Sequence, residues 1–546
     1  MPLRKRLSIA CLIVAALCAL AAPSAFASTG QVTIIQDNNA INHNPVAALT
    51  RMKLMGATLV KYAVYWKYLS PDQNATRAPA AATNPNIYKP YFGQLIAIDE
   101  AAHAVGIRLG FMVTSPAPRW AEGGGCSGAA IPNGTCRPSD ADFQAFMAAL
   151  GQTFGGSGSV PAVRWWSIWN EPNYIPNLAP QTIGKAIYAA PDLYRGLVNA
   201  GWKGLTGSGH RPGPDTILWG DLAPRGIAGA NNFGPANNAQ GYKPVAFLAD
   251  LYCETVAGRR FSGRLAAENG CGKNAGAFKA ANPALFDASG VADHPYSQGV
   301  TPVQRTYDCR LRILGHPQNL FCDATRGHRA DPLWTDLASI SNLTGELDRA
   351  VHAYGSNRRF PIWNTEFGYW TNPPGANPCR HPNQTYCALS QATAAYYLNW
   401  AEYVSYRNPR IQSLSQYQLY DPRVGDWRDG LLTPTGAPKA TFFAWELPMF
   451  LPRTTLPRAG NVTVWGGDRP ALADAIRLRG FRPTVAIQFK AARGGWRTLK
   501  TVPVNLRSAG GYFTTSVHLG SSGSVRLSYT AAGRTLTGRI QAVTVR

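Results

Sequence analysis

Hydrophobic and polar positions follow two different periods in the two parts of the chain. From residue 31 to about residue 450, short runs of β-branched and aromatic residues alternate with longer helical stretches. This alternation is typical of repeated βα units built around parallel strands. After Leu451 the pattern changes to alternating apolar and polar residues between glycine-rich turns, which predicts a separate all-β unit.

Eight βα units are predicted in the first part. Helices are expected between the strands, for example over 141–154, 334–354 and 388–406. Eight strands within roughly 420 residues favour a (β/α)8 TIM barrel with long loops. The strands are expected at 32–36, 58–65, 107–114, 163–169, 216–220, 290–294, 360–365 and 411–417.

An open doubly wound α/β sheet is the alternative architecture. That fold is expected to carry a glycine-rich nucleotide-binding turn after its first strand. Here the first strand runs into Asp37-Asn38-Asn39, and no phosphate-cradling loop is visible in the sequence. The barrel is therefore the predicted fold of residues 28–450. A small β-sandwich is predicted for residues 451–546, with strands at 484–490, 497–502, 512–518 and 524–529.

The first 27 residues have the pattern of a secretory signal peptide. Arg4, Lys5 and Arg6 precede an apolar stretch from Ile9 to Ala22, and small residues flank Phe26 before Ser28. A retained membrane anchor is the alternative, but the apolar run is shorter than the roughly 20 residues that span a bilayer. We therefore expect a secreted protein without a membrane span.

The chain contains ten cysteines, of which Cys11 and Cys18 lie in the predicted signal peptide. An even number in the remainder favours an oxidising compartment. A zinc site is the alternative, but no C-x-x-C or paired-histidine spacing supports it. Four loop-closing disulfides are predicted, within the couples Cys126 and Cys136, Cys253 and Cys271, Cys309 and Cys322, and Cys379 and Cys387.

The positive charge is concentrated in the C-terminal segment. Residues 451–546 hold fifteen of the 53 Lys and Arg residues but only two of the 30 acidic residues. Two interpretations stay open: this segment binds an anionic cell-surface polymer or acidic polysaccharide, or it is a solvated basic surface. No nucleic-acid-binding motif accompanies the charge, so a nucleic-acid partner is not predicted.

Two glutamates end strands that face each other across the predicted barrel mouth. Glu171 ends the fourth strand and Glu366 ends the seventh, and reactive groups of TIM barrels lie at such ends. Cleaving an acetal needs one carboxylic acid to protonate the leaving oxygen and one carboxylate to attack. The pair predicts a retaining glycoside hydrolase with Glu171 as acid/base and Glu366 as nucleophile.

The segments around both glutamates resemble the catalytic motifs of clan A glycoside hydrolases. Residues 169–173 read Trp-Asn-Glu-Pro-Asn and residues 365–368 read Thr-Glu-Phe-Gly. Within that clan the chain looks closest to families 39 and 5. The resemblance covers residues 31–450 and implies a (β/α)8 fold with retention of anomeric configuration. The two-carboxylate mechanism needs no metal or organic cofactor, and none is predicted.

The resemblance also implies roles for further residues. Asn170 would hydrogen-bond the sugar 2-hydroxyl, Tyr296 would orient the nucleophile, and Trp427 would form the sugar platform. The chain departs from the family at one position: members often place Arg at the end of strand two, and this strand carries Lys61.

Further polar and aromatic residues are candidates at the predicted mouth. His294 ends the sixth strand and is a candidate substrate-binding residue, whereas Asp221 and Asp293 are expected to act as hydrogen-bond partners. Sugar rings stack on aromatic side chains, and Trp120 is predicted with Trp427 to bind substrate. The loop aromatics considered for subsites are Trp66, Trp120, Tyr174, Trp219, Tyr369, Trp370 and Trp427.

The predicted function is that of a secreted hydrolase acting on an extracellular poly- or oligosaccharide. Long loops at 121–138, 253–280 and 301–330 suggest a walled cleft or pocket. A non-catalytic glycan-binding protein on the same barrel is one alternative, although it would more naturally have lost one glutamate. A transglycosylase is another, because it shares every residue named above and differs in how its acceptor site excludes water.

Overall fold

The computed structural model describes residues 28, 30–126, 131–183, 188–226, 241–297, 299–305, 332–373, 388–424 and 427–546. The predicted signal peptide lies outside the described residues. So do the predicted disulfides of Cys309 with Cys322 and of Cys379 with Cys387.

Eight parallel strands form one sheet in the order β7-β6-β5-β4-β3-β2-β1-β8. The sheet closes between its outer strands, because a parallel bridge joins Ile362 to Ile411 and the Gln412 amide donates to the Ile362 carbonyl at 2.8 Å. The predicted (β/α)8 barrel is confirmed. Its strands are β1 (Val32–Gln36), β2 (Leu59–Tyr65), β3 (Arg108–Thr114), β4 (Trp165–Ile168), β5 (Thr216–Leu222), β6 (Gly290–Asp293), β7 (Ile362–Asn364) and β8 (Ser413–Tyr417).

Helices alternate with these strands, as the sequence pattern predicts. The α-helices are α1 (Asn38–His43), α2 (Pro45–Leu54), α3 (Gly93–Val105), α4 (Asp140–Thr153), α5 (Ala189–Gly207), α6 (Pro244–Leu251), α7 (Gly263–Glu268), α8 (Ala275–Ala281), α9 (Ala284–Asp287), α10 (Ile340–Ala353), α11 (Gln391–Arg407) and α12 (Ala440–Glu446). Side-chain caps begin several of them: the Ser139 hydroxyl accepts from the Asp142 amide at 3.4 Å, and Ser390 caps α11 in the same way.

The barrel interior is apolar at one end and charged at the other. Ile34, Leu59, Trp165, Leu218 and Ala292 form a small buried cluster of their own, contributed by five different strands. Farther along the same strands, towards their carboxyl ends, the buried side chains include Lys61, Ser167, Asp221 and His294. The apolar layer closes the barrel, and the polar layer above it forms the base of the mouth.

Beyond the barrel, two sheets pack face to face, and both are antiparallel except for the parallel pair of β10 with β17. One has the order β10-β17-β15-β12-β13, with β16 paired to β15, and the other has the order β14-β11-β9. A buried apolar cluster that includes Val464, Ile487 and Leu527 fills the space between them. The elements are β9 (Met449–Phe450), β10 (Thr455–Leu456), β11 (Gly460–Gly466), α13 (Pro470–Arg477), β12 (Thr484–Ala491), β13 (Arg497–Pro503), β14 (Phe513–Leu519), β15 (Gly523–Ala531), β16 (Arg534–Thr537) and β17 (Gln541–Val545).

The four predicted strands of this unit coincide with β12, β13, β14 and β15. The structure adds the helix α13 and places β9, which precedes the change of pattern at Leu451, in the sheet of β11. The barrel and the sheets meet through aromatic side chains of α11, which surround Phe450, Trp465 and Tyr512. A buried ion pair between Arg469 and Glu402 joins the two units.

Two of the predicted disulfides are present, Cys126 with Cys136 and Cys253 with Cys271. Each closes a short loop on the barrel. Within the ranges that the structure describes, we find no helix that is long and apolar enough to cross a membrane.

Candidate active site

A cleft of about 450 Å³ lies at the carboxyl ends of the barrel strands. Glu171 and Glu366 both line it, so the structure brings the two predicted carboxylates together. The other lining residues are Gln36, Tyr65, Met112, Thr114, Asn170, Tyr174, Asn177, Ala223, Pro224, Arg225, Tyr296, Tyr417 and Trp427.

A sharp turn after β4 directs Glu171 into the cleft. Trp169 is fully buried, and both Trp169 (φ 73°) and Glu171 (φ 41°) adopt the left-handed conformation. Such conformations are unfavourable for non-glycine residues and persist where the surroundings enforce them. Here the Glu171 amide donates to the Asp221 carbonyl at 2.8 Å, which ties the turn to β5.

The two carboxylates are close together and only slightly exposed. One oxygen of Glu171, one oxygen of Glu366 and a ring nitrogen of His294 all lie within 4.8 Å of one another. The side chains of Glu171 and Glu366 are 18% and 10% exposed. A molecule in the cleft can therefore contact both carboxylates from the solvent side.

Asp221 occupies the centre of a buried charge network beneath the pair. Its Oδ1 accepts from Lys61 Nζ at 3.0 Å and from Thr365 Oγ1 at 2.7 Å, and lies 3.1 Å from His294 Nε2. Its Oδ2 accepts from the Ser167 hydroxyl. Burial alone would raise the pKa of Asp221, but Lys61 and His294 hold it well below its ordinary value.

Lys61 connects this network to the predicted nucleophile. Its Nζ donates to Glu366 Oε1 at 3.2 Å, and its side chain has no exposed surface. Burial would lower the pKa of Lys61, yet the charges of Asp221 and Glu366 raise it above its ordinary value. The ammonium group is therefore a fixed positive charge beside Glu366.

His294 connects the same network to the predicted acid/base. Its Nδ1 lies 3.0 Å from Glu171 Oε1 and 3.6 Å from Glu366 Oε2. Burial opposes protonation of the ring, but Glu366, Asp221 and Glu171 outweigh burial and raise the pKa of His294 to about 10. The imidazole is thus a cation at neutral pH that reaches both carboxylates.

Tyr296 and Asn170 line the cleft together with the two glutamates. The Tyr296 hydroxyl donates to Glu366 Oε2 at 3.2 Å, and burial raises the pKa of this phenol well above its ordinary value. The backbone N–H of Asn170 donates to Thr114 Oγ1 at 3.2 Å. The side-chain Oδ1 of Asn170 is buried and has no hydrogen-bond partner among the described residues. That oxygen is available to a hydroxyl of a bound sugar.

The predicted aromatic residues separate into two groups. Trp427 lines the cleft, where its ring meets Tyr296 edge-on at 5.7 Å and its Nε1 donates to Asp429 Oδ2 at 2.8 Å. Trp120 does not line the cleft that the described residues form; it is buried and donates to the Pro71 carbonyl at 2.9 Å. Of the other five aromatics, Tyr174 lines the cleft and Trp370 meets the Trp427 ring edge-on.

Several cleft residues were not predicted. Gln36, Tyr65 and Tyr417 are the last residues of β1, β2 and β8, so the rule that strand ends carry the site could have found them. Arg225 follows β5 on a loop and had no comparable signal in the sequence.

Among the described residues, one group has potential ligand atoms close enough together for a metal ion. It consists of Glu171, His294 and Glu366. The charges beside them oppose such an ion, because the Lys61 ammonium is 3.2 Å from Glu366 and 3.3 Å from His294 Nε2. A divalent cation would be repelled by Lys61 and would have to displace the proton of the imidazolium. We therefore assign no metal to this group.

Fold and site together define a (β/α)8 barrel protein with two carboxylates facing each other across its mouth. No protein-family model matches the chain, and no curated protein matches it either.

Among solved structures, a family 39 glycoside hydrolase from the gut symbiont Bacteroides cellulosilyticus is similar, with 15% identity, a TM-score of 0.42, and coverage of 95% of this chain and 82% of that one. A family 51 α-L-arabinofuranosidase from Bifidobacterium longum has 12% identity, a TM-score of 0.41, and coverage of 97% of each chain. An endoglucanase from Clostridium acetobutylicum has 12% identity, a TM-score of 0.40, and coverage of 74% of this chain and 94% of that one. Similarities this low carry no inference about activity, and the fold assignment rests on the observed strand order.

Proposed function

We propose that this protein is a secreted retaining glycoside hydrolase that cleaves O-glycosidic bonds of a poly- or oligosaccharide. The observation that carries the proposal is the separation of Glu171 and Glu366, whose nearest carboxylate oxygens lie within 4.8 Å. Retaining glycosidases hold their carboxyl groups about 5–5.5 Å apart, whereas inverting enzymes leave about 6.5–9.5 Å for a water molecule.

The reaction proceeds in two displacements. Glu366 attacks the anomeric carbon while Glu171 protonates the departing oxygen, so the C–O bond breaks and a glycosyl ester forms on Glu366. Glu171, now a carboxylate, removes a proton from water, and the resulting hydroxide attacks the same carbon and releases Glu366. Tyr296 and Lys61 support this assignment, because each donates to a different oxygen of Glu366 and so holds it for attack.

The cleft supports a carbohydrate as the substrate. It combines the indole ring of Trp427 with polar groups of Gln36, Asn170 and Asn177, the mixture of apolar faces and hydrogen-bond partners that sugar rings present. Two disulfides support secretion into an oxidising compartment. We also propose that residues 451–546 form an accessory domain, with binding of an anionic polymer as one of its two open interpretations.

The test is reducing-sugar release from a panel of plant, fungal and bacterial glycans and aryl glycosides. Wild type is compared with Glu171→Ala, Glu366→Ala and the control Glu100→Ala, whose residue is exposed on α3. We expect activity in wild type and the control, and a loss of about 10⁴-fold or more in both site variants because each removes an essential carboxyl group.

Azide identifies the role of each glutamate. On an activated aryl glycoside, azide should rescue Glu366→Ala with an inverted glycosyl azide and Glu171→Ala with a retained one. An active wild type whose Glu366→Ala variant keeps its rate would refute the mechanism. Binding of a glycan without release of sugar would favour the non-catalytic alternative, and transfer to sugar acceptors in preference to water would favour the transglycosylase.

A further inference from the structure

Asp221 touches neither the cleft nor either glutamate side chain, yet it contacts the residues that support both. It is fully buried on β5. Its carboxylate accepts a hydrogen bond from Lys61, and Lys61 also donates to Glu366. The same carboxylate lies beside His294, and His294 contacts Glu171. Ser167 on β4 and Thr365 after β7 donate to the same carboxylate. The Asp221 carboxylate is thus contacted by residues on, or directly after, four different strands.

The charges in this layer balance in both states of the proposed reaction. Lys61 and His294 are the cations, and Asp221 is a permanent anion. The proposed mechanism requires Glu366 to be the second anion in the free enzyme and Glu171 to hold the proton that it delivers. In the glycosyl-enzyme Glu366 is an uncharged ester, and Glu171 has given up its proton and become the second anion.

We propose that Asp221 is a positioning residue that keeps Lys61 and His294 charged, so that the buried layer stays neutral while one negative charge moves from Glu366 to Glu171. This inference rests on the proposed function and deepens it. His294 is suited to follow the moving charge, because its Nδ1 is 3.0 Å from Glu171 and 3.6 Å from Glu366. The proton goes from Glu171 to the leaving oxygen, and His294 keeps its own.

Without Asp221, two buried cations would share a single anion. Uncompensated burial disfavours a charged group, and the imidazole is the cation that loses its proton more easily. The groups facing His294 are Lys61 from β2, Glu171 after β4, Asp221 from β5 and Glu366 after β7. Asp293 and Tyr296 on its own segment lie beside it as well. Only Asp221 among the anions keeps its charge throughout the cycle, so its removal should lower the pKa of His294.

The first measurement follows the His294 ring directly. Full-length wild type and Asp221→Asn are labelled with ¹⁵N-histidine, and the His294 signals are assigned by their absence in His294→Gln. We expect an imidazolium between pH 6 and pH 9 in wild type, and a ring that titrates within this range in Asp221→Asn. The asparagine keeps the shape of the side chain and removes its charge.

Asp293→Asn is the matched control. Asp293 is a buried aspartate next to His294, but neither of its carboxylate oxygens has a partner among the described residues, and burial raises its pKa to about 7. Asp293 interacts with His294 through its charge, but its side chain hydrogen-bonds neither Lys61 nor the His294 ring, so the control should lower the pKa of His294 by less than Asp221→Asn does.

The second measurement is the pH profile of kcat/KM on the substrate found in the panel. For Asp221→Asn we expect an alkaline limb about two pH units lower than in wild type, which corresponds to about a 100-fold loss at pH 8 on that limb and a smaller loss at pH 5.5. A merely structural role would lower the profile equally at every pH, and that result would overturn the proposal.

The titration of the His294 ring tests the role of Asp221 independently of the proposed hydrolase activity. If wild type hydrolyses no glycan but His294 loses its proton in Asp221→Asn alone, then the charge-holding role stands and the enzymatic one fails. A neutral imidazole in wild type at pH 7.5, or an unchanged imidazolium in Asp221→Asn, overturns the inference. The neutral wild-type ring would overturn it even when the variant does not fold.

Discussion

Burial affects the carboxyl group of Asp221 in the barrel mouth and those of Glu254 and Glu346 outside the barrel in opposite ways. In the barrel mouth, Asp221 is fully buried, and Lys61 and His294 hold its pKa well below the ordinary value. On the outside of the barrel, Glu254 after α6 and Glu346 on α10 are also buried, but burial and their mutual repulsion raise the pKa of Glu254 to about 8. The pKa of Glu346 is raised to about 7.

The difference between the two regions is the placement of cations. Asp221 has a buried ammonium group at 3.0 Å and a buried imidazolium at 3.1 Å. Within the described chain, neither oxygen of Glu254 has a hydrogen-bond partner, and Arg349, which pairs with Glu346, is about half exposed. Burial by itself raises the pKa of a carboxyl group, and at Asp221 the two buried cations outweigh that effect. The barrel mouth therefore holds Asp221 as a carboxylate, whereas the raised pKa of Glu254 keeps that group protonated at neutral pH.

Removing the Lys61 ammonium group should leave the buried carboxylates of the barrel mouth without one of their two compensating cations, and so bring them closer to the state of Glu254. Lys61→Met keeps the length of the side chain but leaves Asp221 and Glu366 without their shared ammonium group. We expect the free energy of unfolding at pH 7 to fall by about 3–5 kcal/mol, because breaking a buried ion pair leaves an uncompensated charge. Urea denaturation measures this loss. Lys273→Met, at an exposed loop position, is the control and should change stability by less than about 0.5 kcal/mol.

Glu254 should make the protein less stable as the pH rises. The folded state holds the proton of Glu254 up to about pH 8, whereas the unfolded chain releases it near its ordinary value of 4.5. Between these pH values the folded state binds more protons, so the free energy of unfolding falls with increasing pH. We expect Glu254→Gln to reduce the loss between pH 5 and pH 9 by about 2–4 kcal/mol.

Urea denaturation at both pH values tests this prediction, with Glu100→Gln as an exposed control that should leave the pH dependence unchanged. An identical pH dependence in wild type and Glu254→Gln would show that Glu254 is ionised in the folded protein. The contrast between the two regions would then be wrong.

A smaller change tests the hydrogen bonds that hold Asp221. Thr365→Val preserves the shape of the side chain and removes the hydroxyl that donates to Asp221 at 2.7 Å. A hydrogen bond to a charged group contributes about 1.5–3 kcal/mol, so we expect a loss at the lower end of that range, since Lys61 and Ser167 remain. Thermal unfolding measures it, and Thr498→Val on the exposed face of β13 serves as the control. A stability equal to wild type would mean that Thr365 contributes nothing to holding the carboxylate.

The predicted fold agrees closely with the observed one where the pattern is strong. The first and last strands were predicted at 32–36 and 411–417 and observed at Val32–Gln36 and Ser413–Tyr417. Shorter elements such as β10 and α13 were missed, because two to eight residues carry too little periodicity to stand out. Asp221 and His294 were singled out at strand ends, but their shared network was not predicted, because its bonded members lie 54 to 305 residues apart in the chain.

The sequence by itself determined the alternation of βα units, the later change to an all-β pattern, and the placement of Glu171 and Glu366 at the ends of facing strands. These features are local, since periodicity and strand ends are visible within a few residues. Only the tertiary structure decided that Lys61, Asp221 and His294 form one buried layer beneath the glutamates, and that Trp427 faces the cleft while Trp120 does not. Charge and burial at a residue depend on neighbours from other strands, and closure of the barrel is what brings those neighbours together.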